Sequence, residues 1–282
     1  MRGLSECNIL PCAVRAKLTD ESSCILFDGL LSGSEFELGR AVGEYFRSAP
    51  AQVRADSPEL FSVVESAMDA GISGQTRDFY RGLGAVPEPF TDIWSCGFAS
   101  DVICLGPDEL FVDAGAGDLF SSHRFARLTH GKYRAIIAFE PAPESYRCCL
   151  TNSSLFDERL RLYPLALSSH CGRLSFTERG PDSRLDQNGE LTVEAVTLDS
   201  ALHGEAPSFI KLHLEGGELD AVEGAAETIR RCAPRLAVCL HRSSDALRIP
   251  ARLLELCPDY RFTFRHYSSS VTETVLYAVA GE

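Results

Sequence analysis

The chain has 282 residues, 45% of them apolar and 24% charged, a globular composition with ample material for a core. Its 27 basic residues against 40 acidic ones give a formal charge of −13, with no basic cluster, which disfavours sequence-independent binding to a phosphate backbone. No stretch approaches the roughly 18 consecutive apolar residues of a membrane span, and no long apolar run precedes a cleavage site, so the expectation is a cytoplasmic protein with no nucleic-acid or membrane partner.

Residues 1–17 show no clear period, and loose order is expected there. From about residue 18 to 90 the signals are helical. Ser34 and Glu37 form a capping-box pattern before the apolar stripe Leu38, Val42, Tyr45 and Phe46. Ser57-Pro58-Glu59 reads as a helix start, followed by Leu60, Phe61, Val64 and Ala67. Val86-Pro87-Glu88-Pro89 closes the stretch, predicting a helical N-terminal region over 1–90 and a second domain over 91–282. The amphipathic helices must bury their apolar faces, as a lid over an acceptor or as a homodimer contact.

After residue 105 short apolar runs alternate with helical patterns. Strands are expected at Glu109–Ala114, Ala135–Phe139, Leu160–Ala166, Ser208–Leu214 and Leu236–Leu240, each read as buried on both faces of a parallel sheet. One helix is expected over Gly217–Arg231. Tyr260–Tyr267 and Thr272–Val279 leave no room for a helix between them and read as a terminal antiparallel hairpin. The fold class is therefore α/β: a Rossmann-like, doubly wound, mostly parallel sheet ending in an antiparallel hairpin, with an N-terminal helical appendage. The eleven cysteines are scattered, contain no CxxC pair, and read as reduced thiols packed as small apolar side chains.

Ligands of such sheets bind beyond the carboxyl ends of the strands. The first strand runs into Asp113-Ala114-Gly115-Ala116-Gly117, a DxGxG motif without the third glycine of the dinucleotide fingerprint. By itself it is equally a tight turn. The second strand ends in Glu140-Pro141, an acidic residue placed to accept hydrogen bonds from ribose hydroxyls, unless it only caps the following helix.

These residues carry a family resemblance. FVDAGAG at 111–117, AFEPAPESY at 138–146, YPLALSS at 163–169, VTLD at 196–199, SFIKLHLEGGELDAVEGAAETI at 208–229, RLAVCLHRSSDALRIP at 235–250 and YRFTFRHYSSSVTETVLYAV at 260–279 occur in the order of an FkbM-type methyltransferase dependent on S-adenosyl-L-methionine (SAM). The chain resembles that family from about Leu105 onward, and more faintly at 18–22. The resemblance implies a class I methyltransferase fold, SAM as cofactor, and transfer to a hydroxyl oxygen of a small molecule or sugar. It implies that Asp113, Ala114, Gly115, Ala116, Gly117, Glu140 and Pro141 hold the methionine and ribose parts of SAM. Ala166 and Leu167 would lie near the adenine, and His241 matches a family histidine. Two positions depart from the pattern: His213 stands where the family usually has Asp, and Leu119 where it often has Gly.

A hydroxyl acceptor must lose a proton, and histidine is the natural base near neutral pH. His213 and His241 follow neighbouring predicted strands, so one is expected as the base, with Glu215 orienting it or the substrate. Glu218 reads equally as a complement to a helix dipole and Lys211 as a paired strand residue, while His266 and Tyr267 could line an acceptor pocket, exposed turn residues being the simpler account. His213, Glu215 and His241 also offer ligands that suit divalent metals, without the spacing of a recognised closed site, so no metal site is assigned. Two other readings compete: a non-catalytic binding module that keeps the fold, favoured by His213 and Leu119, and an NAD-linked oxidoreductase, disfavoured by the missing glycine spacing.

Overall fold

The computed structural model describes residues 10–69, 96–179, 183–268 and 273–281. The Val86–Pro89 boundary lies outside them. By compactness the chain forms a terminal unit, Met1–Cys104 with Cys239–Glu282, and a mid-chain unit, Leu105–Val238. No helix among the described residues is long and apolar enough to cross a membrane.

The terminal unit begins with helices α1 (Leu10–Arg15), α2 (Glu21–Leu31), α3 (Glu35–Ser48), α4 (Ala51–Asp56) and α5 (Pro58–Asp69). Asp20 caps α2 by accepting from Ser23 N at 2.7 Å, and Ser34 caps α3 by accepting from Glu37 N at 3.5 Å. A Cβ on Gly29 would lie 2.3 Å from Ala41 Cβ, so glycine is what lets α2 and α3 approach.

The mid-chain unit holds β1 (Leu110–Ala114), α6 (Phe120–Leu128), β2 (Ala135–Phe139), α7 (Pro143–Asn152), β3 (Leu160–Tyr163), β4 (Ala166–Leu167), β5 (Gly172–Thr177), β6 (Arg184–Leu185), β7 (Leu191–Val196), α8 (Leu198–Ala201), β8 (Phe209–Leu212), α9 (Glu218–Glu223), α10 (Ala226–Cys232) and the first four residues of β9 (Arg235–Leu240). Strands pair in parallel in the order β9-β8-β1-β2-β3. Every residue of β1 is buried, and Phe111 stacks on Phe125 and Phe209 with ring centroids 4.5 and 5.1 Å apart.

Three details differ from the sequence expectation. The strand expected over Leu160–Ala166 is two, because Pro164 has no N–H to continue a ladder. The helix expected over Gly217–Arg231 breaks at Gly224, whose added Cβ would lie 2.0 Å from Ser168 O. Asp199 restarts it by accepting from Glu227 N and Thr228 N at 2.9 and 2.8 Å. A second sheet, ordered β4-β7-β5-β6, was not expected, and its core holds Ala166, Phe176, Val193 and Ala195.

The terminal unit resumes with α11 (Asp245–Leu256) and the antiparallel strands β10 (Tyr260–His266) and β11 (Thr274–Ala280), paired from Tyr260↔Ala280 to His266↔Thr274. The N-terminal helices bury their apolar faces against this hairpin. Phe27 meets Phe264 with ring centroids 5.8 Å apart, Leu18 bridges to Phe262, and Thr19 and Thr263 share a 2.6 Å hydrogen bond. Arg265 completes the joint, donating to Asp20 at 2.6 Å and Asp101 at 2.5 Å. Burial alone would raise the Asp20 carboxyl; the Arg265 guanidinium overrides it and holds the group below its ordinary value.

His266 and Tyr267 are therefore not exposed turn residues: they are 1% and 2% exposed. His266 Nδ1 lies 2.8 Å from Thr274 Oγ1, with Tyr45 and Phe46 edge-on to its ring, and the hydroxyls of Tyr267 and Tyr277 lie 2.6 Å apart.

Candidate active site

The carboxyl ends of β1, β2 and β8 lie side by side in the mid-chain unit. Asp113 is the penultimate residue of β1 and is itself fully buried. Its carboxylate accepts from Lys211 Nζ at 2.9 Å and from Ser122 Oγ at 2.7 Å. Lys211, 7% exposed, also donates to Gly115 O at 3.0 Å. Lys211 thus ties Asp113 to the glycine loop, and it is the paired strand residue that its alternation with Ile210 and Leu212 suggested. Gly115 has φ +73, and a Cβ there would lie 1.9 Å from His213 O, so the loop passes over the end of β8 only as glycine.

Gly115 N and Ala116 N both donate to Phe139 O at 3.0 Å, which folds the loop across the end of β2. Glu140 then accepts from Gly117 N at 2.7 Å through Oε2 and from Ala142 N at 2.9 Å through Oε1. A carboxylate has about four acceptor directions, so this pair of bonds leaves capacity for two hydroxyl donors. Glu140 is 7% exposed, and burial, partly offset by those two N–H bonds, pushes its carboxyl above the ordinary value. Cys149 donates to Gly117 O at 3.1 Å, and Asn152 Nδ2 donates to Asp118 O at 2.8 Å, tying α7 to the same loop. Burial pushes the Cys149 thiol up to about 12, so it is a packed donor and no nucleophile. Pro141 is half-buried next to Glu140; Ala166 and Leu167 are buried in β4.

Leu119, at the N-terminus of α6, has φ 71 and is 1% exposed, packed with Ala116, Ala138 and Cys149. The left-handed backbone accounts for a position that favours glycine; this chain accepts roughly 1–2 kcal/mol of backbone strain there while burying a leucine.

The end of β8 turns through His213-Leu214-Glu215-Gly216, with positive φ at both Glu215 (51) and Gly216 (100). Glu218 sets that turn. Its buried carboxylate accepts from Leu214 N at 2.7 Å and from Gly216 N at 3.0 Å, bracketing Glu215. The sequence showed Glu218 only as a first-turn acid; its spacing of two and four residues from those amides was the available signal. Glu215 Oε1 comes to 3.3 Å from His213 Nε2, and both side chains are partly exposed, 23% and 29%. The structure thus brings together Asp113, Gly115, Gly117 and Glu140, and beside them His213 and Glu215. His241 follows β9 and belongs to the terminal unit.

The family described as Methyltransferase FkbM domain matches residues 112–264. The chain is 20% identical to methyltransferase FkbM from Methylobacillus flagellatus, with a TM-score of 0.66, covering 96% of this chain and 58% of that one. This chain thus spans less than two thirds of that neighbour. A precorrin-6y C5,15-methyltransferase from Geobacter metallireducens is 14% identical with a TM-score of 0.41, covering 63% of this chain and 82% of that one. An rRNA methylase from Streptococcus thermophilus is 16% identical with a TM-score of 0.41, covering 62% and 88%. No curated protein matches the chain. The mixed α/β fold, with its mostly parallel sheet and N-terminal helices, is that of the FkbM neighbour.

Proposed function

We propose that this chain, which belongs to the FkbM methyltransferase family, binds SAM along the ends of β1 and β2 and methylates a hydroxyl oxygen of a small-molecule or sugar-bearing acceptor. The observation that carries the reading is Glu140: a buried carboxylate whose two oxygens each take one backbone N–H, one of them from the glycine loop itself, and keep room for ribose hydroxyls. When bound, SAM supplies a methyl group on a sulfonium, open to in-line displacement by the acceptor oxygen. Glu140 holds the ribose, the Gly115–Gly117 backbone makes room for the methionine part, and Pro141 and the Ala166-Leu167 backbone flank the nucleoside. Asp113 and Lys211 are positioning residues that keep this loop in place.

His213 takes the acceptor's proton onto its imidazole, with Glu215 orienting the ring and stabilising the imidazolium that results. This base stands where the family usually has Asp, and a half-buried histidine paired with a carboxylate serves a neutral hydroxyl at physiological pH. Such a base contributes about 10²–10⁴-fold.

The test uses SAM with an isotopically labelled methyl group, incubated with the full chain and a panel of hydroxyl-bearing small molecules and sugars. Label should reach an oxygen of one acceptor, and His213→Ala should slow single turnover by about 10²–10⁴-fold at saturating SAM. Full rates in His213→Ala would remove the base assignment. Tight SAM binding with no transfer to any acceptor would favour a non-catalytic module.

A further inference from the structure

Methyl transfer as described above uses only β4 of the second sheet, yet the rest of that sheet holds the segment after Glu140. β5 pairs antiparallel with β7 from Gly172↔Ala195 to Phe176↔Leu191, and with β6 through Phe176↔Leu185 and Thr177↔Arg184. Its buried residues Phe176, Val193 and Ala195 pack with Ala142, which is fully buried. Ala142 N is the donor to Glu140 Oε1. Ala142 is also the N-cap residue of α7, and its methyl group accepts no hydrogen bond, so the first turn takes its cap from elsewhere. Glu178, directly after β5, supplies it: Oε1 accepts from Glu144 N at 2.7 Å. Bonds on both sides fix the Glu178 backbone. Thr177 Oγ1 donates to Asp186 Oδ2 at 3.4 Å, and Arg179 N donates to Ser183 Oγ at 2.8 Å. Two carboxylates thus bracket the amino end of α7, Glu140 from the end of β2 and Glu178 from the second sheet.

We propose that Glu178 is a positioning residue for the cofactor, holding the first turn of α7 so that Ala142 N stays on Glu140 and the Glu140 carboxylate keeps its remaining acceptor directions on the ribose hydroxyls. The inference rests on the SAM reading given above. The last torsion of a glutamate is broad, so hydrogen bonds rather than a rotamer set the plane of its carboxylate. For Glu140 those bonds are the two from Gly117 N and Ala142 N. Without Glu178 the Glu144 N–H joins the orphan donors of the first turn, the turn frays, and the Ala142 bond loosens with it. A cap that served stability alone would change nothing else. A positioning residue also moves the acid limb of SAM binding: a backbone N–H favours the ionised carboxylate, so a looser Ala142 bond raises the Glu140 carboxyl further and affinity is lost at a higher pH. The other titratable groups that act on Glu140, Lys211, Asp113 and Cys149, are untouched by a change at Glu178.

The full-length chain and its Glu178 variants are titrated calorimetrically with SAM from acidic to neutral pH, with circular dichroism as the check on folding; Glu178 is half-buried, so its replacement leaves the core intact. Glu178→Ala should bind SAM about 2–30-fold more weakly at neutral pH, the range of a lost cap, and should lose it at a higher pH than the wild type. Glu178→Gln keeps an acceptor oxygen for Glu144 N and should restore most of the affinity and the position of the acid limb. Equal affinity in the wild type and Glu178→Ala would overturn the inference and leave the SAM site standing. So would a weaker affinity with an unmoved acid limb, or one that Glu178→Gln does not restore. Absence of SAM binding in the wild type would overturn the SAM reading itself, and this inference with it.

Discussion

Arg265 and Lys211 are both nearly buried cations, 2% and 7% exposed, and they are answered differently. Arg265 meets two carboxylates, Asp20 at the cap of α2 and Asp101, and joins the first helices to the last hairpin. Burial alone would lower its pKa; the hydrogen bonds to Asp20 and Asp101 outweigh that and hold it raised. Lys211 meets one carboxylate and one carbonyl, and that carbonyl belongs to Gly115, in the loop beside Glu140. The first cation is spent on the scaffold. The second braces the edge where the cofactor is proposed to bind, so the two should fail in different ways.

Arg265→Met leaves Asp20 and Asp101 without their cation and should cost about 3–5 kcal/mol by urea unfolding. SAM affinity of the folded protein should change little. Lys211→Met leaves Asp113 charged in a fully buried site, with a stability loss of the same order, about 3–5 kcal/mol, and here SAM affinity should fall as well. Pairing it with Asp113→Asn removes the stranded charge and should recover most of the stability but not the affinity. Equal losses of affinity in Arg265→Met and Lys211→Met would erase the distinction. Gly115→Ala is a smaller change: a strained φ and a 1.9 Å approach to His213 O predict a loss of roughly 1–3 kcal/mol, read by thermal unfolding, with weakened SAM binding.

The same contrast measures what the sequence could show. The central strands β1 and β2 were legible because burial on both faces writes them as continuous apolar runs, and Ala135–Phe139 matches to the residue; β3, half-buried throughout and carrying Arg161, is not the doubly buried strand expected there. The second sheet was missed because β5 and β7 bury one face only. Leu174 and Phe176, and Leu191, Val193 and Ala195, carry the alternation that would have revealed it. The burial of His266 was not legible: its cover is Tyr45 and Phe46, some 220 residues earlier. Lys211 could be read as paired, but its partner could not, because nothing local to either residue specifies the β1–β8 register that sets Asp113 opposite it.

The smallest expected effect is a pH dependence at Glu140. Its folded-state carboxyl is raised above the unfolded value, so its contribution to stability declines as pH rises through that window. Ribose hydroxyls need the ionised acceptor, so SAM affinity should run the other way, full above the raised value and lost as pH falls through it. Glu140→Gln should flatten both curves in unfolding and binding measured across acidic pH.

The most direct test is a calorimetric titration of SAM into the wild-type chain and Glu140→Ala. The wild type should bind one equivalent, and the variant should bind about 10–150-fold more weakly, the loss of hydrogen bonds to a charged acceptor worth about 1.5–3 kcal/mol. Equal affinity in the two proteins, or no SAM binding by the wild type, would contradict a SAM site built on Glu140.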